Sequence, residues 1–236
     1  VNGKNQLKTK KAKDVAKHIR VLERAENYKG QDLEYIEIPV AVVICQKCGS
    51  IHRQWKAKTN GKRACSRIGC KSKSVKLSTI NRQYRIDEFL RFLGYFASEG
   101  NVNKISGRIA IAQSNRQADY MKPHLEWFAK PIRTTGNMTL WCKQDTNLAK
   151  WLRENVKTNS YDARIPRQIL NLNKEKLKLI FDALIYGDGW KETYSEGLNY
   201  GTVSKQLADD IQEMGFKLGY NTYMRKKKDG IYQVSF

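Results

Sequence analysis

The chain has 236 residues, room for one large or two modest domains, and a 40% apolar share that allows a sizeable core. Its 44 Lys and Arg against 23 Asp and Glu leave a net charge of +21, an excess that acts on partners rather than on fold and points to a polyanion. Signal-peptide and membrane-spanning patterns are absent, the longest apolar run (Val40–Cys45) being far too short to cross a bilayer. Five cysteines in such a chain point to metal rather than to disulfides. An intracellular protein with no membrane partner is therefore expected.

Residues 1–40 read as a basic N-terminal arm or linker. Lys4, Lys8, Lys10, Lys11, Lys13 and Lys17 crowd a stretch poor in periodic apolar residues. Both a solvated terminus and an arm that lies on a DNA backbone fit that composition.

Residues 41–80 carry two cysteine pairs, Cys45-x-x-Cys48-Gly49 and Cys65 with Cys70, with sixteen residues between Cys48 and Cys65. A CxxC followed by Gly lets two thiolates and turn amides converge on one ion, and a second pair completes a tetrahedral four-thiolate site. Thiolate ligands select Zn²⁺, and four filled positions leave none for water, so the expected role is structural. His52 is an alternative ligand or a surface contact. Arg53, Lys56, Lys58, Lys62, Arg63, Arg67, Lys71 and Lys73 surround the cysteines together with Trp55, a density of cations that suggests contact with DNA.

Residues 81–160 begin with Phe89 to Gly100, where Leu90, Leu93, Gly94 and Ala97 recur at helical spacing behind a candidate N-cap, Asp87. The helix stops on a lone acid, Glu99, and a terminating Gly100. Gly94 and Ser98 lie four apart and leave a flat face for another backbone. Strand signals follow: in Arg108 to Gln113, Arg108, Ala110 and Ala112 face opposite Ile109, Ile111 and Gln113. A helix over about 117–130, with Pro123 forcing a kink or a late start, a hairpin over 132–143 turning at Gly136-Asn137, and a helix over 147–155 complete the unit.

Residues 161–236 repeat it. Asn173 caps a helix with Leu177, Ile180, Phe181 and Leu184 buried, and Phe181 to Gly189 again sets small residues four apart (Ala183, Gly187) before an acid, Asp188, and a Gly. Asp188 stands 89 residues after Glu99, and Ser204–Asp209 echoes Ser114–Asp119 at an offset of 90. A strand-like stretch over 190–203 leads to a helix over 204–218 closed by Gly219, then to the run Arg225-Lys-Lys-Lys228 beside the Asp229-Gly230 turn. A duplicated unit of about ninety residues is the natural reading. Two such helices packed through their small residues would set Glu99 and Asp188 side by side. Two adjacent carboxylates repel each other and favour a shared divalent cation, which suits phosphodiester hydrolysis.

Phe92–Gly100 and Phe181–Gly189 resemble the nine-residue signature of the LAGLIDADG homing endonucleases, with the acid in its eighth place. Ala163 to Leu172 is similar to the approach segment of intein-borne members, and the resemblance covers about residues 85–236. It implies an α+β fold of two αββαββα halves about a pseudo-two-fold axis. Their saddle-shaped antiparallel sheets would lie in the major groove, with a zinc-ribbon-like module appended. The implied activity is metal-dependent, site-specific cleavage of double-stranded DNA by a monomer. Glu99 and Asp188, with the carbonyls of Gly100 and Gly189, would hold Mg²⁺ (or Mn²⁺), and Lys143 would be the active-site lysine. Candidate DNA contacts are Arg53, Lys56, Arg108, Gln113, Asn115, Arg116, Arg133, Lys191, Arg225, Lys226 and Lys227. Matching the hairpin turns sets Phe236 opposite Lys143, which raises a strand-biased nickase. A catalytically silent DNA-binding regulator and an RNA-binding splicing maturase are the alternatives on the same fold. Val1 and Phe236 do not supply the end residues that intein splicing needs.

Overall fold

The computed structural model describes residues 28–52, 65, 67, 69–70, 72–134, 136–192 and 197–236. These residues form a mixed α+β fold of antiparallel sheets with six helices among them. A three-stranded ribbon comes first: β1 (Tyr35–Cys45), β2 (Ile51–His52) and β3 (Val75–Arg85). The first repeat is α1 (Ile86–Glu99), β4 (Gly100–Val102), β5 (Arg108–Ser114), α2 (Asn115–Leu125), β6 (Pro131–Arg133), β7 (Met138–Gln144) and α3 (Thr146–Asn155). After a short α4 (Arg167–Leu170), the second repeat runs α5 (Lys174–Asp188), β8 (Gly189–Lys191), β9 (Leu198–Thr202), α6 (Lys205–Leu218), β10 (Tyr223–Lys226) and β11 (Tyr232–Ser235).

The duplication is visible in the ladders. The sheets are ordered β4-β5-β7-β6 and β8-β9-β11-β10, so the same strand orders recur from the same chain order. Gly100 pairs with Ile111 in one sheet and Gly189 with Tyr200 in the other, which makes Ile111 and Tyr200 equivalent, 89 residues apart. Ile109 and Ile111 of β5 and Trp141 of β7, all fully buried, share the face that lies against α1 and α2.

Helix α1 forms because it can bury nearly everything it carries. Phe89, Leu90, Phe92, Leu93 and Phe96 are wholly buried, each worth about 1.5–3 kcal/mol of removed apolar surface. The expected N-cap shifts, since the helix starts at Ile86. Asp87 falls in its first turn and accepts an ion pair from Lys176 of α5 at 2.6 Å. Asn173 and Ser204 do cap α5 and α6, accepting from the amides of Lys176 and Leu207. Gly219 ends α6 in the left-handed region at φ 95°. Pro123 sits in the last turn of α2, two residues before its end.

Strands β1 and β3 pair along eleven residues, from Tyr35↔Arg85 to Cys45↔Val75. The period-two alternation of Ile36, Ile38, Val40 and Val42, all buried, lays one face of β1 on α1 and α3. Asp145 of the α3 N-cap receives Arg82 at 2.7 Å, and Asn147 accepts the Ala41 amide at 3.1 Å. No described helix is long and apolar enough to cross a membrane.

Candidate functional site

Helices α1 and α5 pack through the small residues their sequences place four apart. A β-carbon on Gly94 would meet the Ile180 carbonyl at 2.8 Å, and one on Gly187 would lie 2.6 Å from the Ser98 β-carbon and 3.8 Å from Glu99 Cγ. No bulkier residue fits there without parting the helices. The last turns of the two helices therefore touch, and the acid that ends each one is carried to the contact. Gly100 and Gly189 do not end their helices in the left-handed region as Gly219 does: both are extended, at φ −87°. Their lack of a side chain is needed for closeness instead, since a β-carbon on Gly100 would sit 2.6 Å from the Phe96 carbonyl oxygen.

Neither carboxylate is at ease. Each stands at the negative end of a helix with no basic residue in the last turn. Partial burial pushes the Glu99 carboxyl above the usual carboxylate range, and the neighbouring Asp188 charge pushes it further. Asp188 is exposed at the mouth of a crevice, yet the atoms packed behind it lift its carboxyl too. Gln113 Nε2 donates to Glu99 Oε1 at 3.0 Å, and Tyr200 OH donates to Asp188 Oδ2 at 3.5 Å. Ser98 Oγ, 3.2 Å from the same phenol, ties the two sides together. The crevice, of about 530 Å³, is lined by Ser98, Lys157, Asp188 and Trp190 among others.

The cation facing both acids is Lys157, two residues beyond α3. Its Nζ donates to the carbonyls of Ala97 (2.7 Å) and Ser98 (3.2 Å), supplying the basic group that the end of α1 lacks. Burial holds its ammonium down to about 8, against the opposing pull of Asp188 and Glu99. Lys143, expected in this role, sits elsewhere. Period-two alternation puts it on the helix side of β7 with Trp141, its Nζ 5.7 Å from the Phe128 ring centre, and the charges it feels are Arg82 and Asp145. Sequence reasoning missed Lys157 because no motif marks it; the end of α3 alone fixes its place. Gln113 did leave a signal, as the one polar residue on the Ile109–Ile111 face of β5.

The remaining expected contacts spread over the sheets. Arg108 is exposed on the open face and donates to Cys142 Sγ at 2.9 Å. Asn115 accepts from Thr139 Oγ1 at 2.7 Å, Arg116 and Lys191 are exposed, and Arg133 lies in β6. Arg225 donates to Gln233 Oε1 at 3.1 Å, and Gln233 donates to Asn199 Oδ1 at 2.7 Å. Ser235 Oγ donates to the same Asn199 oxygen at 2.6 Å, completing a polar network on the second sheet in which Asn199 and Gln233 are themselves buried. Lys226 and Lys227 lie over the rings of Tyr232 and Trp190. Arg53, Lys56 and the arm lysines fall outside the described residues.

At the far end of the ribbon the sulfurs of Cys45, Cys48, Cys65 and Cys70 all lie within 4.8 Å of one another. Cys45–Cys70 is 3.7 Å and Cys48–Cys65 is 3.6 Å. A tetrahedron of sulfurs about 2.3 Å from a zinc ion has edges of about 3.8 Å, so this donor set fits Zn²⁺. The Ser50 hydroxyl and amide hold the Cys48 thiol down to about 5. His52 Nε2 is 3.4 Å from Cys65 Sγ, beside the cluster.

Residues 175–236, from α5 onward, match the family model described as LAGLIDADG-like domain. No curated protein sequence matches the chain. Among solved structures, I-DmoI in complex with DNA and Mn aligns at 12% identity and TM-score 0.47, over 64% of this chain and 89% of its own. The N-terminal LAGLIDADG domain of DUF199/WhiA aligns at 6% identity and TM-score 0.43, over 64% and 75%. I-SmaMI bound to uncleaved DNA target in the presence of calcium ions aligns at 8% identity and TM-score 0.39, over 62% and 78%.

Proposed function

We propose that this chain, whose residues 175–236 are a LAGLIDADG-like domain and whose first repeat folds in the same order, is a metal-dependent endonuclease for double-stranded DNA. One observation carries the reading. Two carboxylates with raised proton affinity meet at the ends of two helices, with a buried lysine, its proton affinity lowered, close enough to feel both charges and an open crevice alongside. A structural core does not need that arrangement; a site that handles phosphate and metal does.

Glu99 and Asp188, with the carbonyls of Gly100 and Gly189, are hard oxygen donors suited to Mg²⁺ or Mn²⁺. A divalent ion there would offset the mutual repulsion of the acids and supply charge neutralisation at a phosphodiester. Gln113 and Tyr200 hold the two carboxylates by hydrogen bonds. Lys157 is placed to face a phosphate oxygen in the crevice, and its position takes over the role first expected of Lys143. The outer faces of the two sheets would follow the duplex, the second through the exposed Arg225 and Lys226, the first through Arg108 and a largely small and apolar surface. The cysteine module, residues 41–80 with their ribbon, would hold Zn²⁺ in a structural role and stand as an appendage to two halves at 81–160 and 161–236.

The test is cleavage of duplex DNA with and without Mg²⁺. Tight binding of one sequence with no cutting under either condition would favour a DNA-binding protein on the same fold. Preference for structured RNA over duplex would favour a splicing role.

A further inference from the structure

We propose that the cysteine module is a second contact for duplex DNA, set beyond the outer end of the first repeat, so that the protein covers its target unequally about the paired acids. The inference rests on the DNA-binding reading above and adds a place and a direction to it.

The direction comes from α3. Its inner end leads within two residues to Lys157 and the acids, whereas its outer end begins at Asp145, whose amide donates to the Gly107 carbonyl at 3.2 Å in the β4–β5 turn. Strand β1 runs antiparallel to this helix. Glu37 and Pro39 line a hollow with Trp151, Glu154 and Asn155 near the inner end, and Ala41 bonds Asn147 at the outer one. From Ala41 the ladder continues through Val42, Val43, Ile44 and Cys45 to the cysteines. Four further residues at about 3.4 Å each carry the module about 14 Å past the end of the sheet, away from the acids.

The sequence beyond Ala41 and its ladder partner Thr79 is one-sided. Residues 42–78 contain ten Lys and Arg and no Asp or Glu. Lys47, Arg67, Lys73 and Lys76 are exposed, and none of them is in an ion pair among the described residues. Cations held without acidic partners on a cross-linked tip suit the phosphates of a duplex that continues outward from the first sheet. At about 3.4 Å per base pair, the overhang adds about four base pairs on that side.

Hydroxyl-radical footprinting of the zinc-loaded full chain, on a duplex recovered by selection and without Mg²⁺, tests this. Protection should extend at least about four base pairs further from the centre on one side. A Lys47→Glu, Lys73→Glu, Lys76→Glu variant, checked to retain its zinc, should lose only that outer protection. Its log-affinity against log-salt slope should flatten by about three. Arms of equal length, or outer protection that survives the triple variant, would overturn the proposal while leaving the DNA-binding reading intact. Absence of any protected duplex would overturn both.

Discussion

A β-carbon added to Gly94 would lie 2.6 Å from the β-carbon of Ala183, so α1 and α5 meet almost backbone to backbone at this pair. That closeness is what sets Glu99 beside Asp188. Replacing Gly94 by Ala should part the helices and cost about 1–3 kcal/mol as an overpacked contact. Denaturant melts should show the loss, and cutting should fall with it. Unchanged stability would mean the interface has slack and does not fix the spacing of the acids.

The two acids should weaken the metal-free protein. Their folded-state proton affinities are raised, so they favour folding while protonated and lose that contribution as pH rises through the raised values. At neutral pH, Glu99→Gln and Asp188→Asn should each melt at or above the wild-type temperature without metal, while abolishing cutting and retaining duplex binding. Added Mg²⁺ should raise the wild-type melting temperature and leave that of the double variant unchanged.

Lys157 has the opposite sign. The folded chain releases this proton near pH 8, the unfolded chain near about 10.4, so between these values the unfolded state binds more protons and stability rises with pH. Lys157→Met should remove that rise. If the charged form serves the phosphate, cutting by the wild type should decline above about pH 8, and Lys157→Met should cut at least about 100-fold more slowly with little change in duplex affinity. Lys143→Met should do less than Lys157→Met; the reverse ranking would return the role to β7.

Metal analysis should find one zinc per chain. Cys48→Ser should lose it and loosen the ribbon tip, while the α1–α5 contact keeps its fold and its cutting. Absence of zinc from the wild type would remove the four-thiolate assignment.

Much of this was legible in the sequence because it lies in local pattern. The four-residue spacing of Gly94 and Ser98, repeated at Ala183 and Gly187, foretold a close helix pair, and Asn173 and Ser204 announced their helices. The Cys45-x-x-Cys48 pair, followed by the more widely spaced Cys65 and Cys70, foretold the gathering of four sulfurs. Non-local relationships were not legible. Strand β3 is too polar to read as the partner of β1, and its register emerges only against α1 and α3. Lys157 reaches the acids because of where α3 ends in space, not because of its neighbours in the chain. Gln113, expected as a base contact, is buried and donates to Glu99, on the helix side to which its own alternation assigns it.

The most direct test of the central claim is cleavage of a randomised duplex library by the wild type and by Asp188→Asn, with and without Mg²⁺. The account predicts ends of one sequence, formed only with metal and absent with the variant. Metal-independent ends, or ends that persist with Asp188→Asn, would contradict it.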